Sequence, residues 1–314
     1  MMVEQQRDAC FQETRHLLEL LRELNDIKRL YAYNLGSDSY ATWIFRKACG
    51  AISSGQPLQA DVWCAAVVSA ARLGAITSEV LREVGLSDAE CGDVQVRSIE
   101  THEALPSAVR DSLIIACRLL GTVVSESDPS QADWVERLST APRAGATCPG
   151  KPRIALLPAE MHSDHCAMVA VYGYLLADFF GANREDAWLI GLCHHFHNAY
   201  LPDAGFTGEM MLGDHLQRVL ETSRSRVMSG LPEGLCRRIT RLFYEISGVD
   251  TPLAKTFHAA DTIDRVLQME HYERAAQFRV RQALEDFNLV HEGTAQAFQH
   301  ELLQALGLFT KLNP

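Results

Sequence analysis

Wherever apolar residues recur regularly in this chain, they recur every three to four positions and almost never every second one. That spacing commits the chain to helices and leaves little from which to build a sheet. Residues 11–33 carry Leu17, Leu18, Leu20, Leu21, Leu24, Ile27 and Leu30 with charges between them, the pattern of a helix with one buried face. Residues 40–52 and 61–73 repeat it. Residues 77–84 predict a short helix stopped by Gly85, Ser87-Asp88-Ala89-Glu90 forms a capping box, and Pro106 opens a helix to residue 124. Further on, residues 163–180, 185–197, 209–228, 232–246, 251–284 and 294–308 predict helices. Residues 198–208, with Pro202, Gly205 and Gly208, predict a loop, and only 153–157 offers a short strand. The expected fold class is all-α.

Residues 125–151 concentrate Pro129, Pro142, Pro149, Gly145 and Gly150, which predicts a linker, with at most one helical turn at 133–138. The expected organisation is a helical region over 1–150, its linker at about 125–150, and a second helical domain over 151–314. The net charge of −11 argues against a nucleic-acid partner, because an acidic chain repels phosphate backbones. A small anionic substrate is compatible, since a local pocket or metal outweighs the global field. Nine cysteines without a Cys-x-x-Cys pair fit reduced thiols better than disulfides or a zinc knot. Residues 1–7 are polar, and no apolar run approaches the roughly 20 residues of a membrane span. The expectation is a cytoplasmic protein with a small-molecule substrate and no membrane partner, its homo-oligomeric state open.

Seven of the twelve histidines lie between 162 and 258. Convergent imidazoles and carboxylates on rigid helices are what a metal site requires. Separate surface or core histidines would give the same count. Cys193-His194-His195-Phe196-His197-Asn198, at the end of an apolar helix, adds weight to the metal reading. The pair Met210-Met211 reads as core, Ser223–Arg226 and Arg237, Arg238 and Arg241 as exposed faces, and the isolated His16, Cys64 and His102 as structural.

The segment Asp164-His165-Cys166-Ala167-Met168-Val169-Ala170 resembles the opening of HD-superfamily domains. Ala187-Trp188-Leu189-Ile190-Gly191-Leu192-Cys193-His194-His195 is similar to that family's apolar run into its His-Asp doublet. Lys255-Thr256-Phe257-His258-Ala259-Ala260-Asp261-Thr262-Ile263-Asp264 is similar to its final helix. The order, the spacings and Leu231-Pro232-Glu233-Gly234-Leu235 are closest to the bacterial 5′-deoxynucleotidase branch. The resemblance implies an HD-like helical bundle preceded by a smaller helical region, with His165, His194 and Asp261 as metal ligands.

Two positions depart from the family. His195 stands where the doublet has Asp, and it can still ligate a metal but adds no negative charge. Asn198 stands near the branch's catalytic carboxylate and cannot act as a base, so Asp203 and Glu209 are the nearest acid–base candidates. His215 lies where two-metal HD proteins, including mixed-valent diiron oxygenases, carry an extra ligand. His258, one turn before Asp261, is a candidate ligand or proton-transfer residue. A set of His165, His194, His195, His215 and Asp261 suits a divalent transition metal, Mn, Co, Zn or Fe, with two irons as the alternative. Three functions follow: a metal-dependent phosphohydrolase on a nucleotide or other small phosphate ester, an HD-type diiron oxygenase, and a non-catalytic HD module that binds a ligand or partner.

Overall fold

The computed structural model describes residues 2–126, 132–151, 153–154, 156–276, 279–286 and 288–308. Among them the regular elements are helices, with two isolated bridges, Pro142 to Met161 and Ala146 to Ile154. The chain runs through α1 (Met2–Asn25), α2 (Tyr40–Ser53), α3 (Ala60–Leu73), α4 (Ser78–Glu83), α5 (Asp88–Glu100) and α6 (Ser107–Glu126). It continues as α7 (Asp133–Thr140), α8 (His162–Phe180), α9 (Arg184–Cys193), α10 (Gly205–Leu212) and α11 (Leu216–Met228). It ends with α12 (Glu233–Glu245), α13 (Pro252–Ala276) and α14 (Gln296–Ala305). Among the described residues no helix is long and apolar enough to cross a membrane.

The centre of the fold is α8. Residues 162–177 are all buried, and a helix apolar on every side must be surrounded. Its neighbours are α1, α2, α3, α7, α9 and α13, so helices from both sides of residues 125–150 share one apolar core. The first turn of α8 is tied down by polar groups as well. Thr42 Oγ1 donates to Asp164 at 2.9 Å, Ser39 Oγ donates to the same carboxylate, and Asp164 accepts from Met161 N at 3.1 Å.

Glycine sets the distance between α8 and α9. A Cβ on Gly191 would lie 2.5 Å from Ala170 Cα and 2.6 Å from Ala170 N, and one on Gly173 would lie 2.9 Å from Ala187 O. Each helix thus presents a glycine to an alanine of the other, and backbone rather than a movable side chain fills the space. Gly191→Ala should push the helices apart and lower stability by about 3 kcal/mol, the upper range for overpacking. Chemical denaturation reads this directly. A loss under about 0.5 kcal/mol, the scale of a neutral surface change, would contradict the close contact.

Several boundaries differ from the expectation. The helix expected over 209–228 is two, because the chain turns at Gly213 with φ 49°, backbone that favours glycine. The helix expected to residue 284 ends at Ala276, and a π-helical turn, Gln282–Asp286, follows. Val280 N donates to Glu273 at 3.2 Å across that break. The strand expected over 153–157 is one bridge from Ile154 to Ala146, and residue 155 lies outside the described residues. Within the expected linker, α7 buries Trp134, Val135 and Leu138, while residues 127–131 lie outside the description. Met210 and Met211, expected in the core, are 49% and 78% exposed because α10 buries none of its residues.

Candidate metal centre

α9 ends at Cys193, and His194 and His195 fall at the junction with a 3-10 turn, Phe196–Ala199. The junction is pinned by Phe196, fully buried against Trp134 at 4.9 Å between ring centroids. α8 presents His165 from its first turn, and α13 presents Asp261. One ring nitrogen each of His165, His194 and His195 lies within 4.8 Å of the others. His165 Nε2 is 3.0 Å from His194 Nε2 and 3.2 Å from Asp261 Oδ1.

The outer nitrogens fix which atoms face inward. His165 Nδ1 lies 2.7 Å from Asp264 Oδ2, His194 Nδ1 2.7 Å from Gly191 O, and His195 Nδ1 2.6 Å from Asn198 Oδ1. Asn198 Nδ2 donates to Leu201 O at 3.1 Å, which leaves its oxygen for His195. Each Nδ1 therefore carries hydrogen and donates outward. The Nε2 atoms of neutral rings then carry lone pairs. Lone pairs from His165 and His194 face one another and a carboxylate oxygen. A metal ion placed between them would engage these donors together. Donors sharing one ion at about 2.0–2.2 Å lie roughly 3–4 Å apart, which matches the 3.0 Å and 3.2 Å separations of His165 from His194 and Asp261. The residues fit a divalent metal.

Burial supports the neutral rings. It pushes His194 down to about 3, with the His165 charge adding to the effect, and His197 down to about 4. His195 is held well below the usual histidine range by burial and then by His194. Burial opposes the Asp261 charge, yet the hydrogen bond with His165 and the Arg265 guanidinium hold its carboxyl well below the usual range.

A second carboxylate-rich group, Glu160, His165 and Asp264, also has metal-like spacing. Lys28 fills it: Nζ is 2.6 Å from Glu160 and 2.7 Å from Asp264. An ammonium already sits where a cation would.

The cluster forms part of the wall of a cavity of about 1040 Å³ that His194, His195, His197, Asp203, Glu209 and Asp261 line. Asp203 accepts from Ala144 N at 3.0 Å and Gly205 N at 2.8 Å, and lies 3.8 Å from His162 Nε2. Burial works against the Asp203 charge, but the bond from Ala144 and the Arg143 guanidinium keep its carboxyl below the usual range. Glu209 is shifted the other way, raised by burial and by Asp203. Neither ring nitrogen of the fully buried His162 has a hydrogen-bond partner among the described residues.

Two expected site residues lie elsewhere. His215 is exposed in the turn between α10 and α11, 3.5 Å from Arg218, so it is not brought to the cluster. The register of α10 and α11 is the reason: that turn has no buried residue. His258 is engaged away from the cluster, with Nε2 at 2.9 Å from Gly248 O and 3.1 Å from Ile246 O. It closes the loop between α12 and α13. Arg238 and Arg241 pair with Asp186 at 2.7 and 2.9 Å and tie α12 to α9.

Sequence reasoning missed Arg143 and Arg265, which line the cavity beside the cluster. Arg143 Nε is 3.6 Å from Glu160, and its Nη1 has no hydrogen-bond partner among the described residues. Arg265 Nη1 is 3.7 Å from Asp261. It missed Asp264 too, although that residue lies three positions past Asp261 on one helix face, a spacing that places neighbours together.

A helical bundle that brings His165, His194 and His195 together beside Asp261 offers a donor set that could hold a metal ion. The chain belongs to the HD domain family, whose model matches residues 135–302, more than half of its length. Neither a curated protein nor a solved structure matches it.

Proposed function

We propose that the protein is a metal-dependent phosphohydrolase acting on a small phosphate ester, with nucleoside monophosphates as the leading class. The observation that carries this reading is the inward convergence of His165, His194, His195 and Asp261 beside two cavity-lining arginines. His165, His194, His195 and Asp261 would hold a divalent ion, and an imidazole-rich set favours Mn, Co, Zn or Fe over magnesium. Such an ion supplies Lewis acidity toward a phosphoryl oxygen and makes water a nucleophile near neutral pH.

The chain's own residues do the rest. Arg143 and Arg265 offer guanidinium donors to phosphate oxygens, charge-assisted bonds of the stronger kind. Asp203 stays a carboxylate and can accept a proton at the cavity wall. Glu209, whose carboxyl burial and Asp203 push up, holds a proton more readily than an ordinary glutamate and can pass it back. Asn198, which takes the place of a carboxylate in the deoxynucleotidase branch, holds His195 in its inward-facing tautomer. The oxygenase reading rested on the excess of histidines, on His195 in place of the doublet Asp and on His215; His215 lies outside the cluster, so one ion is the proposed complement.

The test is phosphate release from nucleoside monophosphates and a simple aryl phosphate with Mn, Co, Mg or Fe supplied. Activity should appear with a transition metal, and Arg143→Met should raise KM about 10-fold or more, the scale of one lost charged hydrogen bond. No release from any substrate with any metal would reject the hydrolase reading and favour a binding module without turnover. The His195–Asn198 pair in place of acidic residues is what such a module would carry.

A further inference from the structure

The matched family segment begins at residue 135, yet the outermost support of the metal cluster comes from outside it. Lys28 lies in the short 3-10 turn, Asp26–Arg29, that follows α1. Its side chain is 2% exposed, and its ammonium bridges Glu160 and Asp264. Asp264 is fully buried, and Asn25 Nδ2 donates to its Oδ1 at 3.3 Å. That carboxylate in turn accepts from His165 Nδ1 at 2.7 Å. The chain of contacts is continuous: Lys28 to Asp264 to His165 to the inward Nε2.

The geometry points to Lys28 as a positioning residue of the metal centre, holding Asp264 in the orientation that turns the His165 lone pair inward. This rests on the reading of His165, His194 and Asp261 as metal ligands. The ammonium has two tasks in one place. It keeps Asp264 aimed at His165, and it fills the Glu160–His165–Asp264 group that a second cation would otherwise enter. The N-terminal helices are thereby a working part of the site, although they lie outside the matched segment. A buried lysine between two carboxylates is placed by the fold at considerable desolvation cost, and a purely apolar contact at that position would have packed the same helices.

The experiment is cobalt binding by the full chain, with a competing chelator and the visible absorption of the bound ion as readouts. Wild type should bind one cobalt, and His194→Ala should lose it. Lys28→Met should weaken binding about 10- to 100-fold, as loss of an outer partner of a ligand does, and should shift the absorption band. Lys28→Arg should restore part of the affinity. Asp264→Asn should weaken binding to a similar extent, and adding Lys28→Met to it should change little more, since both act through one contact. Wild-type affinity and an unshifted band in folded Lys28→Met would overturn the proposal. If Lys28→Met does not fold, Asp264→Asn carries the test, and a wild-type spectrum and affinity there overturn it equally. If wild type itself binds no cobalt, the metal-centre reading fails first, and this proposal with it.

Discussion

Lowering the pH from 7.5 to 5.5 should destabilise the metal-free protein severely, dropping its melting temperature by about 10 °C or more. Four histidines are the cause. His194 and His197 are pushed down to about 3 and about 4, chiefly by burial, and His162 and His195 lie well below the usual range for the same reason. In the unfolded chain each returns to about 6.5. A histidine with a depressed folded value takes up its proton on unfolding, so the unfolded state gains as pH falls below about 6.5. Above pH 7 these groups have almost no effect. Each contributes a slope of at most about 1.4 kcal/mol per pH unit below that window. Together four reach about 5 kcal/mol per unit, comparable with the whole stability of an ordinary domain. The carboxylates act lower: Asp203, Asp261 and Asp264 are held below their usual range, so their stabilising effect is lost only as pH falls through about 4 and below. Thermal melts followed by circular dichroism at pH 7.5, 6.5 and 5.5 read the effect. Equal melting temperatures at 7.5 and 5.5 would mean that these rings are not neutral and buried together.

The parts of this molecule that the sequence made legible share one property: they are local. Helix period and capping are decided within a few residues, and the Ser87–Glu90 box is present as expected, with Ser87 N at 2.8 Å from the Glu90 carboxylate. His165, His194, His195 and Asp261 are the exception, spread over 96 positions and legible only because three segments resemble HD-superfamily motifs in the family's order. Other long-range features were not legible. Lys28 meets Asp264 across 236 positions, and nothing near a lysine in an amphipathic stretch says that it points inward. His215 and His258 illustrate the converse. Both stand at plausible spacing, but one falls on a turn with no buried residue, and the other is bonded to the Ile246 and Gly248 carbonyls just past α12. Proximity in sequence proposes a ligand, and the burial of its helix face decides.

His194→Ala should abolish metal binding and reduce phosphate release by about 1000-fold or more, because losing the ion's charge stabilisation costs several kcal/mol at about 1.4 kcal/mol per tenfold. His194 sits where no neighbour can replace it. Its Nε2 faces His165 Nε2 at 3.0 Å, its Nδ1 is spent on Gly191 O, and Phe257 covers its ring at 5.2 Å between centroids. Removing the imidazole leaves a gap between Phe257 and the remaining donors, His165 and His195, and an alanine there offers no ligand atom. Metal analysis of the purified variant should find less than about a tenth of the wild-type content, and added metal should no longer raise its melting temperature. In wild type, an ion at about 100 times its Kd contributes about 2.7 kcal/mol to stability, so the difference is measurable. His195→Asp makes the informative contrast. It gives up the bond to Asn198 but adds the carboxylate that names the family, so metal should be kept and the preference should move toward Mn or Mg. A hydrolase should then hold or gain activity, whereas a module without turnover should stay silent in both forms. Unchanged metal content in His194→Ala would reject His194 as a ligand and with it the reading of its Nε2 facing His165 Nε2 at 3.0 Å as a shared ion site.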